Sequence, residues 1–161
     1  MLKFKIGKSN VKVSGILYIG GMTGAGKTWT LIEVAKQNAI SERSAFFCDR
    51  ASFDGLLPAV VDALSKYTTQ ACNLYVDHAQ ELHDTRADLY NKIISLASFH
   101  NVALGGFQCF DVRMLRDGDA YVRTATVEMG EKIGFTRSLI FPEIGSHTTE
   151  ICGYAKIHRL G

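Results

Sequence analysis

The sequence lacks three features that would each assign it to a class of protein. Its four cysteines form no C-x-x-C pair and no Cys/His cluster at metal-ligand spacing, so we expect reduced thiols and no zinc. No apolar run approaches the roughly 20 residues of a membrane span, and the first residues do not have the pattern of a signal peptide. We therefore expect a cytoplasmic protein with no membrane partner.

An excess of charge of one sign is also missing. The formal net charge is +2, which gives no strong indication of binding to nucleic acid or to a membrane. The chain has 161 residues, of which 47% are apolar and 21% charged, as is typical of a globular domain. No internal repeat or low-complexity linker interrupts it. We expect one compact unit with a substantial core.

One stretch of the chain has a specific pattern. Residues 21–28 read G-M-T-G-A-G-K-T and fit G-x-x-x-x-G-K-[ST] at every fixed position. The preceding residues 15–19 are apolar and typical of a strand, whereas the following residues have helical spacing, so the glycines fall at a strand-to-helix turn. This context favours a phosphate-binding loop. The alternative is a glycine-rich turn ahead of an ordinary helix.

The physics of such a loop predicts a role for its residues. Glycines lack a Cβ, so successive N–H groups can curl around an anion, and the N-terminus of the following helix adds positive potential. Lys27 would reach the β- and γ-phosphates of ATP, and the Thr28 hydroxyl would bind Mg²⁺. The predicted nucleotide-binding residues are Gly21, Met22, Thr23, Gly24, Ala25, Gly26, Lys27 and Thr28.

Two later apolar stretches each end in an acid. Residues 73–76 are typical of a strand and lead to Asp77, which would bind Mg²⁺ directly or through water. A shorter stretch, residues 45–48, leads to Asp49, a candidate substrate-binding residue because ligands bind at the carboxyl ends of parallel strands. The alternative for each is an ordinary carboxylate in a solvated loop.

The order of patterns predicts an α/β fold. Strands are expected at residues 2–6, 11–19, 45–48, 73–77 and 102–107, and helices at 27–38, 53–64 and, after a capping box at 85–88, up to about 100. Strands that alternate with helices indicate a parallel sheet flanked by helices. Residues 1–120 would form this nucleotide-binding core. Residues 121–161, with three strand-like stretches, would form a small β-rich lobe packed on it.

Several segments together resemble the thymidine kinase family, which has a RecA-like P-loop core and a small lasso-bearing lobe. Residues 18–32 resemble its I-x-G-P-M-F-S-G-K-T-x-x-L-I segment, residues 76–82 its I-D-E-A-Q-F-F segment, and residues 106–110 its G-L-D-x-x-F segment. Weaker similarities follow at 124–130, 134–137, 144–145 and 151–154. The resemblance implies a RecA-like P-loop fold, a nucleoside substrate, ATP with Mg²⁺ and homo-oligomers.

The resemblance also predicts further site residues. His78 stands where the family has the glutamate that acts as general base, so it is either a replacement base or the mark of a site without catalysis. Glu81 is the nearest other carboxylate. Phe110, Phe135 and Thr136 would contact the nucleoside base, although lone aromatic residues are more often part of a core. The family's zinc cysteines are absent here.

Three functions remain open from the sequence. The first is ATP-dependent phosphoryl transfer to a deoxynucleoside, with Lys27 and His78 as catalytic residues and Thr28 and Asp77 as metal ligands. The second is an ATP-binding protein of the same fold without kinase turnover. The third is a DNA-dependent ATPase resembling the FtsK and HerA motors, which the near-neutral charge and the absence of a basic arm do not favour.

Overall fold

The structure is a computed structural model, and it describes residues 1–6, 9–22, 26–39, 44–128, 136–141, 144–145 and 156–159. Its strands are β1 (Leu2–Ile6), β2 (Ser9–Val13), β3 (Ile16–Gly21), β4 (Ser44–Cys48), β5 (Asn73–Val76), β6 (Asn101–Phe107), β7 (Ala120–Glu128), β8 (Thr136–Phe141), β9 (Ile144–Gly145) and β10 (Lys156–Arg159). Its α-helices are α1 (Lys27–Gln37), α2 (Leu56–Lys66), α3 (Ala79–Thr85) and α4 (Ala87–Leu96).

The fold is a mixed α/β fold built on a parallel sheet. The strand order is β10-β4-β5-β6-β3-β7-β8-β9, and the five strands from β4 to β7 in this order pair in parallel. β10 adds a parallel strand at one edge, whereas β8 and β9 pair antiparallel at the other. A single strand, β6, therefore separates β3 from β5.

Helices cover both faces of the sheet, and its strands are therefore buried on both sides. Leu17 and Ile19 of β3 pack with residues of α1 on one face. On the other face, Tyr18 of β3 and Leu74 and Val76 of β5 pack with residues of α2, α3 and α4. This near-continuous apolar pattern is the one expected for a buried parallel strand.

The N-terminal residues form an antiparallel hairpin of β1 and β2 that packs on α1. The prediction of a single strand at residues 11–19 is wrong, because two separate strands, β2 and β3, occupy this region with an interruption between them. At the break, the Gly15 N–H donates to Gly118 O at 2.8 Å and the Ile16 N–H to Asp119 Oδ1 at 2.7 Å. These bonds hold the interruption against the loop that precedes β7.

The capping box predicted at residues 85–88 is also wrong. Thr85 is the last residue of α3, and its hydroxyl donates back to Glu81 O at 2.7 Å. The next helix, α4, begins at Ala87 without a side-chain cap. The sequence pattern did not indicate α3, which has seven residues and only two buried ones, Ala79 and Leu82.

The C-terminal strands continue the same sheet where the structure describes them. β7 lies beside β3, with Gly21 opposite Thr124, and β8 pairs with β7. The lobe predicted for residues 121–161 stays a prediction, since residues 129–135, 142–143, 146–155 and 160–161 lie outside the described residues. Within the described ranges, no helix has both the length and the apolar character needed to cross a membrane.

Candidate functional site

The side chain of Lys27 reaches back to the first residues of the loop, Gly21 and Met22. The ammonium group donates to Gly21 O at 2.6 Å and to Met22 O at 3.1 Å. Burial lowers the pKa of the Lys27 ammonium, and the nearby Asp77 carboxylate partly opposes this. Gly26 precedes α1 with a φ of 85°, a conformation that is strained for residues with a Cβ. Thr23, Gly24 and Ala25 lie outside the described residues.

The Thr28 side chain, in the first turn of α1, contacts the side chain of Asp77, which follows β5. The Thr28 hydroxyl donates to Asp77 Oδ2 at 2.6 Å, although 49 positions separate the two residues. Asp77 is 2% exposed and follows β5 directly, and its N–H donates to Cys48 O at the end of β4. The two predicted metal ligands therefore lie in contact. This contact follows from the strand order, because only β6 stands between β3 and β5.

His78 has an unusual backbone. Its φ of 54° makes it the one residue other than glycine with positive φ in the part of the chain that the structure describes. Its N–H donates to Asp77 Oδ1 at 2.9 Å. Gly106 of β6 packs against this turn, and a Cβ built there would lie 2.7 Å from the His78 nitrogen. A glycine at 106 is thus needed for the close approach of the turn to the sheet.

The His78 ring lies between two carboxylates. Its Nδ1 is 3.6 Å from Asp77 Oδ2 and 3.6 Å from Asp49 Oδ1. This nitrogen is buried and has no hydrogen-bond partner among the described residues. Asp49 and Asp77 come together because Cys48 and Val76, the residues before them, are paired between β4 and β5. Asp49 Oδ1 also accepts from the Arg50 N–H at 2.5 Å.

The polar residues after His78 are held by other groups. Glu81, the other candidate carboxylate, forms an ion pair with Arg50 at the surface. The Gln80 side chain accepts from the Gln108 N–H at 2.7 Å and from the Cys109 N–H at 3.2 Å. Glu81 is therefore paired with a surface arginine, and Gln80 fixes the chain that follows β6.

Phe110 belongs to a cluster of aromatic rings. Its ring stacks on Tyr121 with centroids 4.7 Å apart, lies 4.6 Å from the Tyr18 ring and contacts Phe107 edge to face. Burial raises the pKa of the Tyr18 and Tyr121 hydroxyls. Phe110 is partly buried by this packing. Phe135 lies outside the described residues, and Thr136 begins β8, where the side chain is not described.

One residue near the loop was missed by sequence reasoning. Thr124 of β7 is 2% exposed, and its hydroxyl donates to Gly20 O at 3.2 Å. A Cβ at Gly21 would lie 2.2 Å from the Thr124 hydroxyl oxygen, so Thr124 requires a glycine where the loop begins. No local pattern indicated Thr124, because its position depends on the pairing of β7 with β3.

The donor set at Thr28 and Asp77 fits a magnesium ion. A hydroxyl and a carboxylate are hard oxygen ligands, and Mg²⁺ usually takes only one or two protein ligands, with phosphates and water for the rest. Among the described residues, no group of three or more His, Cys, Asp and Glu side chains is arranged to hold a metal ion. Any bound Mg²⁺ would therefore depend on the nucleotide phosphates for much of its coordination.

Comparison with known proteins gives no assignment. No protein-family model matches the chain, and no curated protein matches it either. The function must therefore be argued from the residues themselves.

Proposed function

We propose that this protein binds ATP with Mg²⁺ in the loop of residues 21–28 and transfers the terminal phosphoryl group. The observation that carries the proposal is the 2.6 Å contact between Thr28 and Asp77. Two residues far apart in sequence, each expected to bind the same metal ion, meet at the carboxyl edge of a parallel sheet. Ligands bind at this edge in open α/β folds, and the strand arrangement is consistent with a RecA-like P-loop core.

The chain's own residues would act mainly by position and charge. Lys27 would exchange its bonds to Gly21 O and Met22 O for the β- and γ-phosphates, whose charge it would neutralise. Thr28 and Asp77 would hold Mg²⁺, which would supply positive charge to stabilise the phosphates during transfer. His78 is 34% exposed, so its ring would be within reach of an acceptor. Asp49 and Asp77, on either side of Nδ1, would stabilise the ring after it takes a proton.

A deoxynucleoside is the proposed acceptor, in line with the resemblance to thymidine kinases. One observation favours a second candidate, ATP hydrolysis without a nucleoside. Phe110, predicted to contact the base, is engaged with Tyr18 and Tyr121 instead. In that case His78 would orient water, as a DNA-dependent ATPase requires. A cytoplasmic location and homo-oligomers stay predictions.

Two measurements on the purified protein test the proposal. Trp29, the single tryptophan, is half exposed and follows Thr28 directly, so its fluorescence should change on titration with Mg·ATP. Incubation with γ-labelled ATP and a panel of deoxynucleosides that includes thymidine then follows the phosphate. We expect label on a nucleoside with the unchanged protein and with Lys66→Ala, a surface control on α2, and none with Lys27→Ala.

Each outcome tests a different part of the proposal: the nucleoside acceptor, phosphoryl transfer or the binding of Mg·ATP. Label on inorganic phosphate alone would replace the nucleoside with water as acceptor and would favour the second candidate. Binding of ATP without any release of label would leave a nucleotide-binding protein and overturn phosphoryl transfer. If Mg·ATP does not bind, the whole proposal fails.

A further inference from the structure

The charge of the chain is unevenly distributed. The first 32 residues contain five lysines and no acidic residue, so the rest of the chain carries a formal charge of −3 against the overall +2. Four of these lysines lie within residues 1–13, and three of them, Lys3, Lys5 and Lys12, belong to β1 and β2 and have described side chains. The near-neutral total therefore conceals a basic segment.

The hairpin has one buried apolar face and one exposed polar face. Leu2, Phe4 and Val13 are buried against the core on the α1 side of the sheet. On the other face, Lys3, Lys5, Asn10 and Lys12 are all exposed. We call this surface, defined by these four residues, the lysine face. No ion pair within the described ranges involves any of its lysines.

The pairing of the strands concentrates this charge. Lys3 lies directly opposite Lys12 and Lys5 opposite Asn10. Like charges directly opposite each other destabilise an antiparallel pair, and a bound polyanion would remove that repulsion. Lysines can also protect an exposed strand edge, but the β1 edge is already bonded. The Lys3 N–H donates to Asn38 Oδ1, and the Lys5 N–H and carbonyl bond the Gln37 side chain.

The chemistry of the lysine face favours nucleic acid over a membrane. Membrane-surface binding scales with the apolar area that is inserted, and the outward positions of the hairpin whose side chains are described are all polar. Lys3 and Lys5 stand at alternate positions of β1, with Lys12 opposite Lys3, and the phosphates of a nucleic acid backbone offer regularly spaced negative charges to such an array. We propose that the lysine face binds the phosphate backbone of nucleic acid without reading its sequence.

The hairpin is held in place on the nucleotide-binding unit. β1 is bonded to Gln37 and Asn38 at the end of α1, the helix that begins with Lys27 and Thr28. Nucleic acid on this face would thus be attached to the same helix as the proposed ATP site. The proposal itself needs no nucleotide, because it rests on charge and exposure alone.

The test is the binding of a short fluorescein-labelled DNA duplex, followed by anisotropy at several salt concentrations without ATP. The variant Lys3→Gln/Lys12→Gln removes the opposed pair, and Lys66→Gln/Lys92→Gln removes the same charge from exposed positions on α2 and α4. Each lost phosphate contact lowers the salt slope by about 1, so we expect a slope smaller by about 2 and binding weaker by about tenfold or more for the first variant. The second should bind like the unchanged protein.

Three results would overturn the proposal. The first is no binding at low salt, and the second is equal weakening by both variants, which would mean that only net charge matters. The third is tighter binding to vesicles containing phosphatidylserine than to the duplex. Circular dichroism checks that both variants are folded. Failure here leaves the ATP proposal untouched, because the anisotropy experiment contains no ATP.

Discussion

The two ends of the central sheet both hold buried polar side chains, but they differ in how those side chains are paired. At the amino end, Asn73 and Asn101 begin β5 and β6, and Asn73 Oδ1 accepts from Asn101 Nδ2 at 2.8 Å. Asn73 Nδ2 donates to Asn38 O and to the Tyr75 hydroxyl. At the carboxyl end, the buried His78 Nδ1 lies between carboxylates with no hydrogen-bond partner among the described residues.

The difference separates a structural network from a candidate functional site. His100 at the amino end uses both ring nitrogens, since Nδ1 accepts from the Cys72 N–H at 3.0 Å and Nε2 donates to Leu64 O at 2.8 Å. A network satisfied in this way stabilises the fold. At the carboxyl end, the carboxylates accept hydrogen bonds, but the His78 ring nitrogen beside them contributes none among the described residues. Positive charge from a metal ion or a protonated ring would stabilise the carboxyl end.

The largest expected effect is the loss of phosphoryl transfer in Asp77→Asn. Removal of one electrostatic contact to the transferred group typically costs about 10²–10³ in rate, and Asp77 is the more buried of the two predicted metal ligands. Stability should change little, because the amide oxygen can accept from the His78 N–H while the amide nitrogen donates to the Thr28 hydroxyl. Release of labelled phosphate and chemical denaturation measure the two effects. Asp62→Asn, exposed on α2, should change neither, and full activity of Asp77→Asn would exclude this aspartate from the site.

For His100→Ala at the amino end we expect the opposite result, a loss of stability without a loss of nucleotide binding. This change leaves the Cys72 N–H without its acceptor and opens a cavity under Phe99 and Tyr67, so we expect a loss of about 3 kcal/mol in the free energy of unfolding. The affinity for Mg·ATP, read from Trp29 fluorescence, should stay the same. His83→Ala at the exposed end of α3 serves as the control and should cost less than about 0.5 kcal/mol.

A smaller loss is expected for Asn101→Ala. The change removes the donor to Asn73 Oδ1, and a buried acceptor left unpaired costs about 1–3 kcal/mol. Thermal unfolding followed by circular dichroism measures it, again with Mg·ATP binding unchanged. If Asn101→Ala weakened ATP binding at the far end of the sheet, the division between the two ends would be wrong.

The sequence predicted the elements that local patterns determine. The motif of residues 21–28 and the apolar runs at β4, β5 and β6 placed Thr28, Asp49 and Asp77 at one edge of a parallel sheet. The break at Gly15 depends instead on bonds to Gly118 and Asp119, about a hundred positions away, so no local pattern shows it. The aromatic packing of Phe110 likewise depends on β7 lying beside β3.

The smallest effect concerns the backbone of His78 itself. A residue with a Cβ pays about 1 kcal/mol or more for positive φ, whereas glycine adopts it freely. We therefore expect His78→Gly to be more stable than His78→Ala by up to about 1 kcal/mol in chemical denaturation, because both lack the ring and the relief of this strain outweighs the greater unfolded-state entropy of glycine. Both should lose turnover if the ring contacts the acceptor. A Gly variant no more stable than the Ala variant would show that the turn relaxes without cost. A more stable Gly variant without activity would mean that the chain gives up stability to hold the imidazole between Asp49 and Asp77, as expected for a functional side chain at the carboxyl end.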